Sequence, residues 1–452
     1  MSARFIEVDR AAQYLFPPSI QDWLPEKHLA RFVVEIVEHL DLRPLKVSYT
    51  CRGSQPYHPA MLLALLFYGY ATGVFSSRKL ESSTHDSVAF RFIAANTHPD
   101  HDTIAHFRKR FLPQLAAMFM EILTIAQQIG VLKLGKVCLD GTKVKANASK
   151  HKALSYGHAC KLQSQLEAEV AELLAQAEAA DQADIPDGME IPTELAIRQD
   201  RIKAIKAAKA EIERRADQRY AKEQEEYSRK LAEREQKEQD TGRKPRGKQP
   251  KPPTAGPKEK DQINLTDSDS RIMPTSSGGF EQTYNAQASV DAETMLIVGN
   301  HLSQAPNDKQ ELVPALDKLA QLPTDLGAVT DMLADTGYFS ATNVSSCEGQ
   351  NITPYIAVKR EGHHQPVVDR FKEPPPLSDG ADAVETMKHR LKTIAGKAVY
   401  AKRKSTVEPV FGIIKAVMGF RQFFLRGLDA VSGEWNLVCV AYNIKRLFVL
   451  AQ

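Results

Sequence analysis

Between Lys388 and Arg426 the chain carries ten bases and one acid, Glu408. The bases are Lys388, Arg390, Lys392, Lys397, Lys402, Arg403, Lys404, Lys415, Arg421 and Arg426. A net of +9 over 39 residues, standing alone, reads as a solvated helix face. Here the bases alternate with Tyr400, Val407, Phe411, Ile414, Phe420, Phe423 and Phe424, so the segment is expected to dock on a core. A single carboxylate among phosphate-binding cations makes chemical sense if it holds a divalent metal. Phosphodiester cleavage by two metals needs carboxylates that grip ions roughly 4 Å apart, one ion activating the nucleophile and one steadying the leaving oxygen. Mg²⁺ suits the task because it takes few carboxylates and keeps positions for water and phosphate. Glu408 therefore needs partners, and strand ends are where an α/β fold supplies them.

Two aspartates fit. Asp140 follows Val137-Cys138-Leu139 and precedes Gly141-Thr142-Lys143, and Asp335 follows the apolar segment 328–334 and precedes Thr336-Gly337-Tyr338. Either one, taken locally, also reads as an ordinary turn aspartate. Asp331 is a rival to Asp335, placed within the strand and not at its exit. A continuous helix puts Lys404, Glu408 and Lys415 on one face. Pro409 is expected to kink or restart that helix, leaving Glu408 near an N-terminus.

The elements that must position these groups can be read from periodicity. Residues 20–125 form a run of helices: one opened by Pro25 with Leu29, Phe32, Val33, Ile36 and Val37 inward, and a core helix from His58-Pro59 to Tyr70. Asp102 or Thr103 is expected to cap a short helix ending in Arg108, Lys109 and Arg110. Strands are expected at 137–142, 284–290, 295–298, 328–334 and 352–358, with helices at 308–322, from about 386, and at 435–450. Residues 159–240 read as an antiparallel helical hairpin, with Leu162, Leu166, Val170, Leu173 and Leu174 facing Leu195, Ile202, Ile205 and Ile212. The segment 241–260, with five prolines and a net charge of +6, reads as an extended, mobile basic linker. The fold class is thus α/β, a mixed sheet core interrupted by an inserted helical hairpin.

Composition sets the limits. At 452 residues, 42% apolar and 25% charged, the chain is an ordinary globular one of several domains, not a collagen, a disordered chain or a disulfide scaffold. Apolar runs fall short of a membrane span, and the N-terminus lacks a signal-peptide core. Five scattered cysteines (Cys51, Cys138, Cys160, Cys347, Cys439) without a CxxC argue for a reducing cytoplasm and against structural zinc. The formal charge of +3 conceals an acidic stretch, His158 to Ile197, at −8, beside the two basic segments. Segregation of this kind favours a nucleic-acid partner where the total does not.

The chain resembles bacterial insertion-sequence transposases of the DDE type. The matching runs, in order, are Leu139-Asp140-Gly141-Thr142-Lys143 with Asn147; Asn264-Leu-Thr-Asp267-Ser-Asp269-Ser-Arg271 with Tyr284-Asn-Ala-Gln287; Leu333-Ala-Asp335-Thr-Gly337-Tyr338; and Val407-Glu408-Pro-Val-Phe411-Gly412-Ile-Ile-Lys415 with Arg426-Gly427 and Ala441-Tyr442-Asn443. Upstream, Tyr57-His58-Pro59 and the run from Pro99 to Arg108 resemble the helical N-terminal domain of the same group. One departure stands out. A related signature spaces its residues Y-x2-R-x3-E-x6-K, whereas here four residues separate Arg403 from Glu408.

The resemblance implies a ribonuclease H-like catalytic core formed by 131–158 and 261–452, a helical DNA-binding domain at 1–130, an inserted hairpin at 159–240 and a basic linker at 241–260. It implies that Asp140, Asp335 and Glu408 bind two Mg²⁺ or Mn²⁺ ions. It also implies cleavage at the element's inverted-repeat ends, strand transfer to target DNA, and a homodimer on DNA in the bacterial cytoplasm, associated with the nucleoid and not with a membrane. Lys415, Arg403, Lys404, Lys143 and Arg421 are expected at the DNA near the active site, and Arg108, Lys109 and Arg110 on a recognition helix. Two rivals share parts of this pattern: a stand-alone metal-dependent nuclease, and a non-catalytic DNA-binding relic acting as a regulator.

Overall fold

The computed structural model describes residues 19–47, 49, 56–183, 191–243, 247–275, 278–358, 372–377 and 380–452. Seven helices come first: α1 (Leu29–Glu38), α2 (Arg43–Lys46), α3 (Pro59–Thr72), α4 (Ser77–Asp86), α5 (Val88–Ile93), α6 (His101–Phe111) and α7 (Leu115–Gln128). Then come β1 (Lys136–Lys145), β2 (Ala153–Ser155), α8 (Tyr156–Ala183), α9 (Ile191–Thr241), β3 (Gln262–Asn264), β4 (Arg271–Pro274), β5 (Phe280–Asp291) and β6 (Ile297–Ser303). The rest is α10 (Leu312–Ala320), β7 (Asp331–Ala334), α11 (Ala341–Gly349), β8 (Thr353–Ile356), α12 (Ala383–Lys392), α13 (Ile394–Gly412) and α14 (Leu428–Leu450). Cα packing divides the chain into two compact units. One comprises Met1–Ala146, Met273–Gly279 and Thr283–Gln452, the other Asn147–Ile272 and Phe280–Gln282.

The larger unit is mixed α/β. Its sheet runs β4-β5-β1-β7-β8, with β6 also paired to β5. β1 pairs antiparallel with β5 and parallel with β7, and β7 pairs parallel with β8. Tyr284, Ala286, Ala288 and Val290 of β5 are fully buried, as the alternation demanded. The intervening Asn285, Gln287 and Ser289 are buried as well, so β5 is covered on both faces. α13 packs on β1, β7 and β8, while α14 packs on β6 and on helices α1, α3 and α7. The N-terminal helices thus share one compact unit with the sheet.

α3 explains that arrangement. Its residues from Leu62 to Ala71 are all buried, so it needs cover on every side. Tyr70 of α3 donates to Glu434 of α14 at 2.9 Å, and Arg108 of α6 donates to the same tyrosine at 3.2 Å. No single helix among the described residues is long and apolar enough to cross a membrane. Cys138, Cys347 and Cys439 are buried free thiols and Cys160 is a half-buried one, whereas Cys51 lies outside the described residues.

The smaller unit contains the hairpin. α8 runs antiparallel to α9, as the pairs Glu169–Arg198, Gln163–Lys209 and Tyr156–Glu213 show. Leu166, Ile205, Ala208 and Ile212 form its core with Leu154 and Ile263 of the short β2–β3 pair. Leu174, expected inside, is 47% exposed. The segment read as a free linker is held instead. Arg234 donates to the Gly247 and Lys248 carbonyls and Arg219 to that of Gly256, so the proline-rich strap runs back along α9.

Three local expectations are corrected. Asp100, not Asp102 or Thr103, caps α6, its carboxylate accepting the Thr103 N–H at 2.7 Å. β1 continues past Thr142 to Lys145 because β5 pairs with it that far. α13 runs unbroken through Pro409, and the disturbance falls just beyond, where Ile413–Val417 winds as a π turn.

Candidate active site

The parallel pairing of β1 with β7 ends at Cys138 opposite Leu333. Asp140 and Asp335 each lie two residues further on, at the mouth of the same strand pair. Neighbouring strands are about 4.8 Å apart, so the two carboxylates share one edge. Asp140 accepts its own neighbour's Gly141 N–H at 2.8 Å, and Asp335 accepts the Gly337 N–H at 2.8 Å as the cap of a 3-10 turn. Asp331 lies at the opposite end of β7, hydrogen-bonded to Thr330, away from this edge.

α13 brings the third acid. Val407, Val410 and Phe411 are buried beneath it, leaving the Glu408 side chain 58% exposed above. Arg403 joins the two ends of the site, its guanidinium 3.4 Å from Asp140 and 3.6 Å from Glu408. The extra residue between Arg403 and Glu408 therefore does not prevent one arginine from reaching both acids. Burial pushes the Asp140 carboxyl up to about 6, against the pull of the Gly141 N–H. The charge of Asp335 raises it further, Arg403 opposes, and Asp308 adds to the rise.

Asp308 was not legible as a site residue. It stands in the loop before α10, and its Oδ1 accepts from Asn285 at 2.6 Å and from Gln287 at 2.8 Å. Tyr338 closes the layer by donating to the Gln287 side chain at 2.5 Å. The available signal was the buried polar pair Asn285 and Gln287 on a strand with no solvent face, since such groups persist only with partners. Lys143 faces this layer, its ammonium 3.9 Å from Asp308. Neither Lys143 Nζ nor Asn285 Oδ1, both buried, has a hydrogen-bond partner. Burial pulls the Lys143 ammonium below the usual lysine value, with Asp308 and Glu311 resisting.

Gly141 makes room for the polar layer. A Cβ there would lie 2.1 Å from Gln287 Nε2, 2.8 Å from Asp308 Oδ1 and 2.9 Å from Asn285 Oδ1. Gly141→Ala should therefore expel that layer and destabilise the protein by about 1–3 kcal/mol, the usual cost of overpacking. Chemical denaturation checks this, with an unchanged midpoint as the contrary result.

The expected DNA-facing cations divide. Lys404 and Arg421 are exposed. Lys415 is half-buried and engaged, donating to the Thr142 hydroxyl at 2.5 Å and the Lys143 carbonyl at 2.9 Å. Burial, with Arg421 nearby, pulls its ammonium down from the ordinary lysine value. On α6, Lys109 and Arg110 are exposed, with Arg110 over the Tyr49 ring. Arg108 is buried and donates to Tyr70 and the Phe75 carbonyl, so it faces inward and leaves the exposed basic face to its two neighbours. Asn264 folds a turn of the smaller unit, accepting from Thr266 and Asp267 N–H groups.

Two comparisons with protein families succeed. Residues 18–110 match the family described as Transposase domain (DUF772), and residues 378–448 match the family described as Transposase DDE domain. The first covers α1 to nearly all of α6, the second Glu408, Lys415 and Arg421, while Asp140 and Asp335 lie outside both. No curated protein and no solved structure matches the chain. In this order, the two matches support an insertion-sequence DDE transposase.

Proposed function

We propose that the transposase indicated by these two domains cuts DNA at the element's inverted-repeat ends and joins the freed strands to target DNA, using Asp140, Asp335 and Glu408. The observation that carries this reading is Arg403, 3.4 Å from Asp140 and 3.6 Å from Glu408 and within the field of Asp335, three acids from distant segments about one guanidinium. The sheet order, with β5 antiparallel on one side of β1 and β7, then β8, parallel on the other, supports a ribonuclease H-like core.

Among the described residues no three His, Cys, Asp or Glu side chains converge on one point. The donor chemistry nonetheless fits a hard cation: all three are carboxylates, and burial, with the charge of Asp335 behind it, disfavours the Asp140 charge that a divalent ion would compensate. Asp140, Asp335 and Glu408 would hold two Mg²⁺ or Mn²⁺ ions, whose contribution is Lewis-acid activation of water and of the leaving oxygen. Arg403 neutralises Asp140 and Glu408 when they hold no metal. In the first reaction a bond forms from water oxygen to phosphorus, and the bond to the 3′-oxygen breaks to leave a 3′-hydroxyl. In the second, that hydroxyl attacks a target phosphodiester and a target 3′-hydroxyl leaves. Lys404 and Arg421 hold phosphates, and Lys415 fixes the far end of β1. Joining two DNA ends calls for a homodimer on DNA, and the work belongs in the bacterial cytoplasm at the nucleoid.

The test is Asp335→Asn in the full chain, assayed with end-labelled DNA carrying the element's inverted repeats. Asparagine caps a turn as well as aspartate, so the fold should hold. Cleavage and joining should fall by about 10³-fold or more, because groups acting as a unit fail together. Unchanged DNA processing by the variant would overturn the site assignment. Cut but unjoined product from the wild-type chain would favour the nuclease, and binding without any processing the relic.

A further inference from the structure

The mechanism takes only Arg421 from one basic, aromatic feature, the loop between the π turn and α14, and leaves its exposed ring unused. Phe420 and Phe423 anchor it, both buried, and Phe423 stacks edge-on against Tyr284 of β5. Its backbone is stapled to the end of β1. The Lys145 N–H donates to the Arg421 carbonyl, the Phe423 N–H to the Lys145 carbonyl at 2.8 Å, and the Gln422 side chain to the Ala146 carbonyl. A second staple is more costly. Glu434, fully buried in α14, uses one carboxylate oxygen to accept the N–H groups of both Phe424 and Leu425, each at 3.0 Å. A carboxylate is not buried cheaply, so the position of these two residues is strongly determined.

What this frame presents is an exposed aromatic ring with an arginine on either side in sequence, Arg421 also donating its Nε to the Lys415 carbonyl at 3.0 Å. Phe424 is 42% exposed, with one side against Phe75 at a centroid distance of 5.6 Å. Arg421 and Arg426 are exposed on either side in sequence, and Val417, 64% exposed, precedes them. A single exposed apolar residue is unremarkable on any protein. A ring held by backbone hydrogen bonds, with arginines on either side in sequence, on a loop stapled to the end of the strand that carries Asp140, is a different object. Aromatic faces flanked by cations are how proteins hold unpaired bases: the ring stacks and the cations take phosphate.

Resting on the transposase reading, we propose that Phe424 is a stacking platform for an unpaired base of the DNA end, with Arg421 and Arg426 gripping the adjoining phosphates. The distance is suitable. Lys145 lies five residues beyond Asp140 on β1, about 17 Å at 3.3–3.4 Å per residue. Along a DNA strand at 3.4 Å per nucleotide that is roughly five nucleotides from the scissile phosphate. DNA opened near the cut is thereby held open on Phe424.

The test uses the full chain without divalent metal, so that no cutting occurs, and two fluorescein-labelled probes of one sequence: a fully paired duplex and a fork with mismatched end bases. The wild-type chain should bind the fork on the order of tenfold more tightly, as one stacked base warrants. Phe424→Ala should erase that preference and Phe424→Trp should keep it. Phe424→Leu retains an apolar contact with Phe75 but has no π face, so it should melt like the wild type and still lose the preference. Arg421→Ala should weaken both probes alike and reduce the salt slope by about one. Equal binding of fork and duplex by the wild type, or a preference that survives in both Phe424→Ala and Phe424→Leu, overturns the proposal. Failure of Asp335→Asn to affect cleavage would instead overturn the catalytic reading and leave fork binding as found.

Discussion

Asp140→Asn is expected to stabilise the metal-free protein while stopping strand cleavage. Asp140 titrates near pH 6 in the fold against 3.8 for a free side chain. A shift of that size corresponds to roughly 3 kcal/mol of penalty for carrying the charge. The gain from removing it should be smaller, about 1–2 kcal/mol, because the shift already includes the pull of Arg403 and the asparagine amide that replaces the acid is itself a polar group to be buried. The sign follows from linkage. A raised carboxyl costs nothing while protonated in both states, below about pH 4; the cost grows as pH rises towards 6 and is complete above it. Melting curves in EDTA should therefore show the variant a few degrees above the wild type at pH 8, and the two converging near pH 4. Adding Mg²⁺ should raise the wild-type melting temperature and leave the variant nearly unmoved, since only a protein that binds the ion gains from it. A variant less stable than the wild type at pH 8 would mean that the Arg403 contact outweighs the burial of Asp140.

The same residues show what sequence can and cannot convey. The positions of Asp140 and Asp335 at strand exits were legible because each follows a short apolar run, and a strand exit is a position that local pattern defines. Their juxtaposition was not, since it depends on β7 pairing in parallel with β1 across some 190 residues of intervening chain. Arg403 had the opposite difficulty. Its spacing to Glu408 looked wrong by one residue, yet side-chain reach absorbs such a slip where backbone register would not. Asp308 and Lys143 needed the strand register itself: Lys143 stands opposite Asn285 and Gly141 opposite Gln287, a pairing that no single segment announces. Pro409 was misread because proline was expected to break the helix at its own position. With Glu408 exposed on one side and Val410 buried on the other, α13 holds its course and the irregularity moves to the π turn. The strap at 247–258 looked free because its composition is that of a linker, and only the arginines of α9 reveal that its carbonyls are taken.

Glu434 tests whether the N-terminal helices and the sheet fold as one body. Its side chain is fully buried, where burial raises the carboxyl above the usual glutamate value. One oxygen accepts from Tyr70 of α3 and the other from the Phe424 and Leu425 N–H groups. Arg108 of α6, itself buried, supplies the compensating charge and leaves its Nε without a partner. Removing the acid leaves the buried Arg108 charge uncompensated, though still hydrogen-bonded to Tyr70 and Phe75, and takes the acceptor from a phenol and two amides. Glu434→Ala is therefore expected to cost about 3–5 kcal/mol, the loss typical of breaking a buried charge pair from one side. Glu434→Gln, which keeps the shape and one acceptor oxygen, should cost distinctly less. The two tryptophans make the measurement specific: Trp435 is fully buried in α14, and Trp23 lies half-exposed ahead of α1. In denaturant, the remaining tryptophan's fluorescence and far-UV circular dichroism should give the same unfolding midpoint within each of the Trp23→Phe and Trp435→Phe backgrounds, and Glu434→Ala should lower both probes together. Separate midpoints, with only the Trp435 signal displaced, would mean that the helical segment folds independently of the core. A shared midpoint means that α6, with its exposed Lys109 and Arg110, unfolds as one unit with the strands that carry the acids at the β1–β7 edge.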